Sequence, residues 1–451
     1  MAELRTAPDH VILTYAEKLP SSPLVVALVA FILIAVSLPI ARRLGRTEKD
    51  PRLVKLLMIA LLLHFLGSAA QIFVDNHVYH GVSDFNGYVH QGATLSGFFR
   101  SFHFTTKGAG LRGVVGDGSV SIAAGVVYTI IGVNELASFF VFAWFSWLGT
   151  IFFYRAFCIT FPEGEHRRYA LMIFLLPSLL FWASDVSKES VVMMGLGVAS
   201  FGIARVLGRR RRGYPLVALG TVMGVVTRPN EYALLLGAFI VAMFFRGRDT
   251  HRQMRAARRL GSLVFIVVIM GVTAVLLKKF LHTNATSLSG VLKSAHAGNS
   301  GQGAGFGSSN VPYSSNPLLY PRDVYTVLFD PLPITAGSVT QLLAAAENTV
   351  ILVLVLTSLR RIRLIFRAGR ERPYVIMCTL YTLGFLYSFA ALSNLGLITR
   401  ERTLMFPYLL VVLAIPVTPK GEPPKFPWER PRLKRRERRL AAARGGFSVP
   451  P

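Results

Sequence analysis

Four short stretches of the chain set ionisable side chains beside long apolar runs, and each offers its own chemistry. In the first, Asp84, Tyr88, Gly92 and Leu95 recur at spacings of three or four, which places them on one face of a helix. A carboxylate there can serve as a general base on a hydroxyl. Asp is also a preferred N-cap residue, so Asp84 could equally do no more than start that helix. The second stretch holds Asp185, Lys188 and Glu189; the last two are adjacent, do not share a helix face, and need partners from elsewhere. In the third, Pro229 interrupts the helix between Arg228 and Glu231, and the freed backbone suits a cavity wall. The fourth is Arg400-Glu401-Arg402. Its two guanidinium groups can hold a phosphate or pyrophosphate by forked hydrogen bonds, or can form a surface network of little energetic consequence.

The elements that must position these groups are apolar helices. Of the 451 residues 52% are hydrophobic and 16% charged, with mean hydropathy +0.49, more apolar surface than a soluble protein of this length buries without several large cores. Lipid is the simpler solvent. Apolar runs at 24–41, 53–73, 136–157, 168–183, 189–207, 214–227, 231–245, 261–277, 342–359, 374–392 and 403–418 read as about eleven transmembrane helices. The fold class expected is thus an all-α polytopic integral membrane protein, residues 1–418 forming the membrane domain and 419–451 a basic, disordered tail.

Charge sets the expected orientation. The formal charge of +26 would suggest nucleic acid in a soluble protein, but the arginines cluster between apolar runs. Arg42, Arg43 and Arg46, Arg167 and Arg168, Arg209 to Arg212, Arg246 to Arg259, Arg360 to Arg372 and the tail all fall on one side if the chain crosses eleven times. That places the amino terminus outside and the carboxyl terminus in the cytoplasm, with the basic loops facing anionic lipid and no nucleic acid. Residues 119–133 would break this parity if they crossed, so they read as an interfacial or re-entrant segment. Lys278 and Lys279 are the main exception, and lysines can snorkel to the headgroups.

Two outer segments, 75–135 and 278–341, exceed ordinary connectors; the second contains a Gly/Ser-rich stretch. Arg228, Arg400 and Arg402 then lie on the outer side against the charge trend, where a cation calls for an anionic ligand or a carboxylate. His77, His80, His90 and His103 match no metal motif, and the two cysteines, Cys158 and Cys378, have no spacing of a disulfide framework or metal site. No P-loop, dinucleotide-binding glycine motif or Gly-x-Ser-x-Gly elbow appears in a suitable context. The first apolar run lacks a small-residue cleavage site and reads as a permanent anchor.

The stretches Asp-Phe-Asn-Gly-Tyr-Val-His-Gln-Gly-Ala-Thr-Leu (84–95), Pro177 to Glu189 and Asn394 to Arg402, with the many-span layout, resemble the GT-C membrane glycosyltransferases, among them the bacterial protein mannosyltransferase and aminoarabinose transferase group, and polymerases of polysaccharide gene clusters. The resemblance implies that Asp84 deprotonates or orients an acceptor hydroxyl, and that the donor is a sugar on a polyprenyl phosphate or diphosphate. It further implies that Lys188, Arg228, Arg400 and Arg402 bind the donor phosphate, with Tyr88, Asp185, Glu189, Glu231 and Glu401 in support. The acceptor would be a glycan or lipid at the outer face of a bacterial cytoplasmic membrane. The chain departs from the commonest pattern in having a single Asp at that site, which argues against a metal-assisted mechanism; no cofactor is expected. An oligosaccharide-repeat polymerase is the first alternative, relying on the arginines more than on Asp84, and a lipid-linked glycan flippase the second.

Overall fold

The computed structural model describes residues 22–246 apart from 79, 81, 82, 112, 163–165 and 211, the single positions 267, 271 and 275, residues 320–389 apart from 338, and residues 395–417. All but those three positions of the run predicted at 261–277, together with Lys278 and Lys279, the Gly/Ser-rich stretch, Asn394 and the tail, lie outside the described residues. Among the described residues every regular element is a helix.

Four helices are long and apolar enough to cross a membrane: α1 (Pro23–Glu48), α2 (Pro51–His77), α5 (Glu135–Thr160) and α8 (Lys188–Leu207). At 26 or 27 residues the first three are each about 40 Å long at 1.5 Å per residue. Exposed Leu24, Phe31 and Val36 on α1 and Ile59, Leu66 and Phe73 on α2 form apolar flanks that hydrocarbon, not water, would solvate. Between α2 and α5 stand α3 (Asp84–Arg100) and α4 (Asp117–Ile131), packed as a pair. At 15 residues α4 is shorter than a membrane crossing requires.

The run 168–183, expected as one span, is two helices. Pro177 has no amide hydrogen, so α6 (His166–Leu175) stops before it and α7 (Pro177–Phe181) starts anew. The freed amide of Ser178 donates to Glu347 (2.8 Å), a buried carboxylate placed at the start of α7. After α8 follow α9 (Gly213–Val225) and α10 (Pro229–Phe244), then α11 (Tyr320–Phe329), α12 (Val339–Thr357), the short α13 (Leu359–Ile362) and α14 (Ile365–Glu371), and α15 (Pro373–Phe389). The run 403–418 is also interrupted. After α16 (Leu395–Glu401), a 3-10 turn (Arg402–Leu404) leads into it and α17 (Phe406–Leu413) follows.

Small residues set how closely α8 packs. A side chain on Gly197 would lie 2.3 Å from the carbonyl of Gly149 on α5, and one on Gly220 of α9 would lie 2.3 Å from the amide of Ala199. Such contact without side chains fixes helix positions to within a fraction of an ångström. It thereby fixes the start of α8, where Lys188 and Glu189 sit.

The bundle has two chemically distinct ends. Asn134 bonds Ser22 (3.2 Å), Gln71 bonds the Phe181 carbonyl (3.0 Å) and the Gly116 amide bonds Val226 (2.9 Å), which gathers the starts of α1, α4, α5, α8 and α10 at one end. At the other, Glu48 pairs with His166 (3.2 Å), Arg372 bonds the Thr160 carbonyl (2.6 Å), Arg168 bonds Ser358 (2.7 Å) and Arg361 bonds the Ile415 carbonyl (2.7 Å). The described arginine clusters follow these helix ends, so they collect at the second end.

Candidate functional site

The starts of four helices meet at the first end, and their opening residues are the charged ones. Asp84 begins α3, Asp117 begins α4, Lys188 and Glu189 begin α8, and Arg228 precedes Pro229 of α10. Asp84 does not cap α3, because Ser83 occupies the cap position. The helix is instead held by Asp75, buried at the end of α2, which accepts from the Ser83 amide and the Asn86 side chain (3.1 Å each). With that support beneath it, the Asp84 carboxylate is left to the site.

Arg400 reaches Asp84 with one terminal nitrogen (2.8 Å) and Glu189 with the other (2.9 Å). Glu189 is fully buried and also receives Arg228 (2.8 Å), which in turn holds Glu401 (2.6 Å). The chain Asp84–Arg400–Glu189–Arg228–Glu401 thus draws on four helices far apart in sequence. Beside it Lys188 pairs with Asp117 at 2.5 Å, and Tyr88 donates to the same carboxylate oxygen (2.9 Å). Burial, then the charges of Asp117 and Asp84, push the Tyr88 hydroxyl far above its ordinary pKa, so it remains a donor.

Exposure divides the network into a base and a rim. Glu189, Arg228 and Glu401 are buried, whereas the Asp84 and Asp117 side chains are 62% and 67% exposed. Arg400 and Lys188, at 18% and 21%, join the two layers. Burial opposes the charge on Arg228, but Glu401 and Glu189 more than offset it and raise its pKa. The same balance, with Glu189 foremost, raises Arg400. Both are permanent cations.

Asp185 sits in the turn between α7 and α8, which His64 and Ser68 of α2 grip through Ser184 (2.8 and 2.6 Å). Burial pushes its carboxyl up to about 7 against the pull of Arg400. One of its oxygens has no hydrogen-bond partner among the described residues, and neither have the Ser187 hydroxyl, Arg228 Nε and the Asn230 side-chain oxygen. Buried polar groups of this kind are ones that water or a polar ligand can satisfy. Glu231 is buried behind Arg228 and accepts from Tyr381 (2.5 Å).

Arg402 does not join the others. Fully buried, it donates to the carbonyls of Val327 (3.3 Å) and Leu328 (3.2 Å) and to the Asn348 side chain, tying the end of α11 to α12. Among the described residues it has no carboxylate at salt-bridge distance, and burial pulls its pKa down to about 10 against the pull of Glu347. Both terminal nitrogens of Arg402 are thus spent on neutral oxygens away from the carboxylate network, and only its buried Nε lacks a partner among the described residues, so the structure does not bring Arg402 together with the other expected phosphate ligands.

Asp117 is the residue that sequence reasoning missed. Asp84 therefore has an acidic companion after all, supplied by α4 instead of by a chain neighbour. The glycine preceding Asp117, with φ of 81°, marks the sharp turn into the helix and was the one available signal. Of the four outer histidines, His77 stacks on Phe73 and bonds its carbonyl (2.9 Å), at the exposed end of α2.

Neither a family model, nor a curated protein, nor a solved structure matches this chain.

Proposed function

We propose that the chain is a multi-pass protein of the bacterial cytoplasmic membrane. It would transfer a sugar from a polyprenyl-phosphate-linked donor to a glycan or lipid acceptor, with the carboxylate end of the bundle outside and the arginine-rich end in the cytoplasm. The observation that carries this reading is the contact between Asp84 and Arg400, a base and an anion receptor brought from 316 residues apart to 2.8 Å.

Around Lys188, Arg228 and Arg400 stand Asp84, Asp117, Asp185, Glu189, Glu231 and Glu401, so carboxyl groups outnumber cations and a phosphate cannot simply add to a vacant positive pocket. It must replace a carboxylate. Glu189 and Glu401 are sealed in; Asp84 and Asp117 are the exposed partners. A donor phosphate on Arg400 and Lys188 displaces both, and displacement frees the Asp84 carboxylate beside the bound donor. The acceptor hydroxyl oxygen then attacks the anomeric carbon and its proton passes to Asp84. The bond from that carbon to the phosphate oxygen breaks, and the electron pair leaves with the phosphate, stabilised by Arg400 and Lys188. Attack opposite the departing oxygen inverts the sugar carbon.

The test is transfer from a synthetic polyprenyl-phosphate sugar by the protein in lipid nanodiscs. Asp84→Asn keeps the shape of an exposed side chain, so folding should hold while transfer drops by about 10²–10⁴. Full activity in Asp84→Asn would end the proposal. Chain lengthening of a lipid-linked oligosaccharide that survives Asp84→Asn but not Arg400→Ala would assign the chain to repeat polymerisation.

A further inference from the structure

At the arginine-rich end, away from the carboxylate network, three ligand-type side chains from three helices point at one another. Glu48 ends α1, Cys158 lies in the last turn of α5 and His166 opens α6. The Glu48 oxygen, the cysteine sulfur and the His166 nitrogen all lie within 4.8 Å of one another. We infer that Glu48, Cys158 and His166 form a zinc site that staples these three helices.

The geometry suits a tetrahedral ion. His166 Nδ1 and Glu48 Oε2 are 3.2 Å apart, and two such ligands at the usual zinc bond lengths define a tetrahedron edge of about 3.3 Å. A sulfur ligand stands about 3.6 Å from either, so closure asks for a movement of about 1 Å at most. The imidazole is already oriented, because its other nitrogen bonds the Phe161 carbonyl (2.6 Å) and its ring lies edge-on to Tyr154 and Phe157. A metal-binding histidine is held by an outer carbonyl in this same way. The fourth tetrahedral position would be filled from outside these three residues.

Charge balance decides whether a dication fits beside so many arginines. Arg155 and Arg43 lie close by, Arg205 is next to Arg155, and Tyr154 and Asp50 flank the group. With His166 protonated against Glu48 and Cys158 a thiol, the three residues sum to zero. When Zn²⁺ binds, the imidazolium and the thiol each release a proton, and two positive charges replace two. The net charge stays zero, so the surrounding arginines add no new repulsion.

The full-length protein in detergent, stripped with a chelator and titrated with Zn²⁺, provides the test. One equivalent should bind and raise the thermal midpoint. Affinity should rise with pH, because the metal displaces protons from its ligands. Co²⁺ should give a thiolate charge-transfer band that Cys378→Ser keeps and Cys158→Ser loses. Cys158→Ser should also weaken Zn²⁺ by more than the 10–100-fold typical of outer-partner changes. Stripped wild-type protein that takes up no Zn²⁺, or Co²⁺ bound without a thiolate band, overturns the inference even if a variant misfolds.

Discussion

Arg400 and Arg402 stand one residue apart and serve opposite kinds of region. Arg400 joins a pocket of carboxylates whose outer members are exposed, so its partners can be exchanged for another anion. Arg402 is fully buried, its terminal nitrogens held by neutral carbonyl and amide oxygens. A guanidinium is thus defined by its acceptors: charged, half-open ones make a site, whereas neutral, closed ones make a joint. The two regions should accordingly fail differently when broken.

The largest effect is expected at the base of the pocket. Arg228→Met strands the buried Glu401 and leaves Glu189 with Arg400 as its remaining cation, a loss of about 3–5 kcal/mol. Denaturant unfolding in detergent should show the deficit shrinking as pH falls, because protonation removes the stranded charge. Arg402→Met strands neutral oxygens instead, at about 1–3 kcal/mol. That deficit should be the same at pH 5 and pH 8, and a pH-dependent one would erase the distinction between joint and site.

Asp185 sharpens the same contrast. Its folded pKa of about 7 lies above the ordinary carboxyl value of 3.8, so between those limits the folded protein holds more protons than the unfolded chain. Stability should therefore fall as pH rises from about 4 to 7, by at most about 1.4 kcal/mol per unit for one group. Asp185→Asn should flatten that slope and raise stability above pH 7. The smallest change belongs to the rim: Lys188→Met should alter stability by under about 1 kcal/mol, since its partner is largely exposed. Its effect should appear as a lower kcat together with a higher KM for the donor, because Lys188 holds the phosphate both when bound and when leaving.

Much of the helical layout was legible in the chain. Glu135–Thr160 and Lys188–Leu207 follow apolar runs at 136–157 and 189–207 almost residue for residue, because an apolar helix is a local matter of composition and length. The runs at 168–183 and 403–418 misled because their many apolar residues outweigh one proline each in any average, whereas the missing amide of Pro177 or Pro407 lets a helix begin anew there. Within the site, the opposite charges at Asp84, Lys188, Arg228 and Arg400 could be nominated from position alone. The companion carboxylate Asp117 could not, since an exposed Asp after a glycine resembles any turn. Glu48, Cys158 and His166 were equally hidden, their spacing matching no ligand motif.

The sequence alone determined which segments are apolar helices and where charge collects along the chain, since both depend on neighbours within a few residues. Only the tertiary structure decided that Arg400 finds carboxylates and Arg402 finds carbonyls. A buried cation is satisfied by whatever acceptors the packing of distant helices brings within 3 Å, and nothing local encodes which these will be.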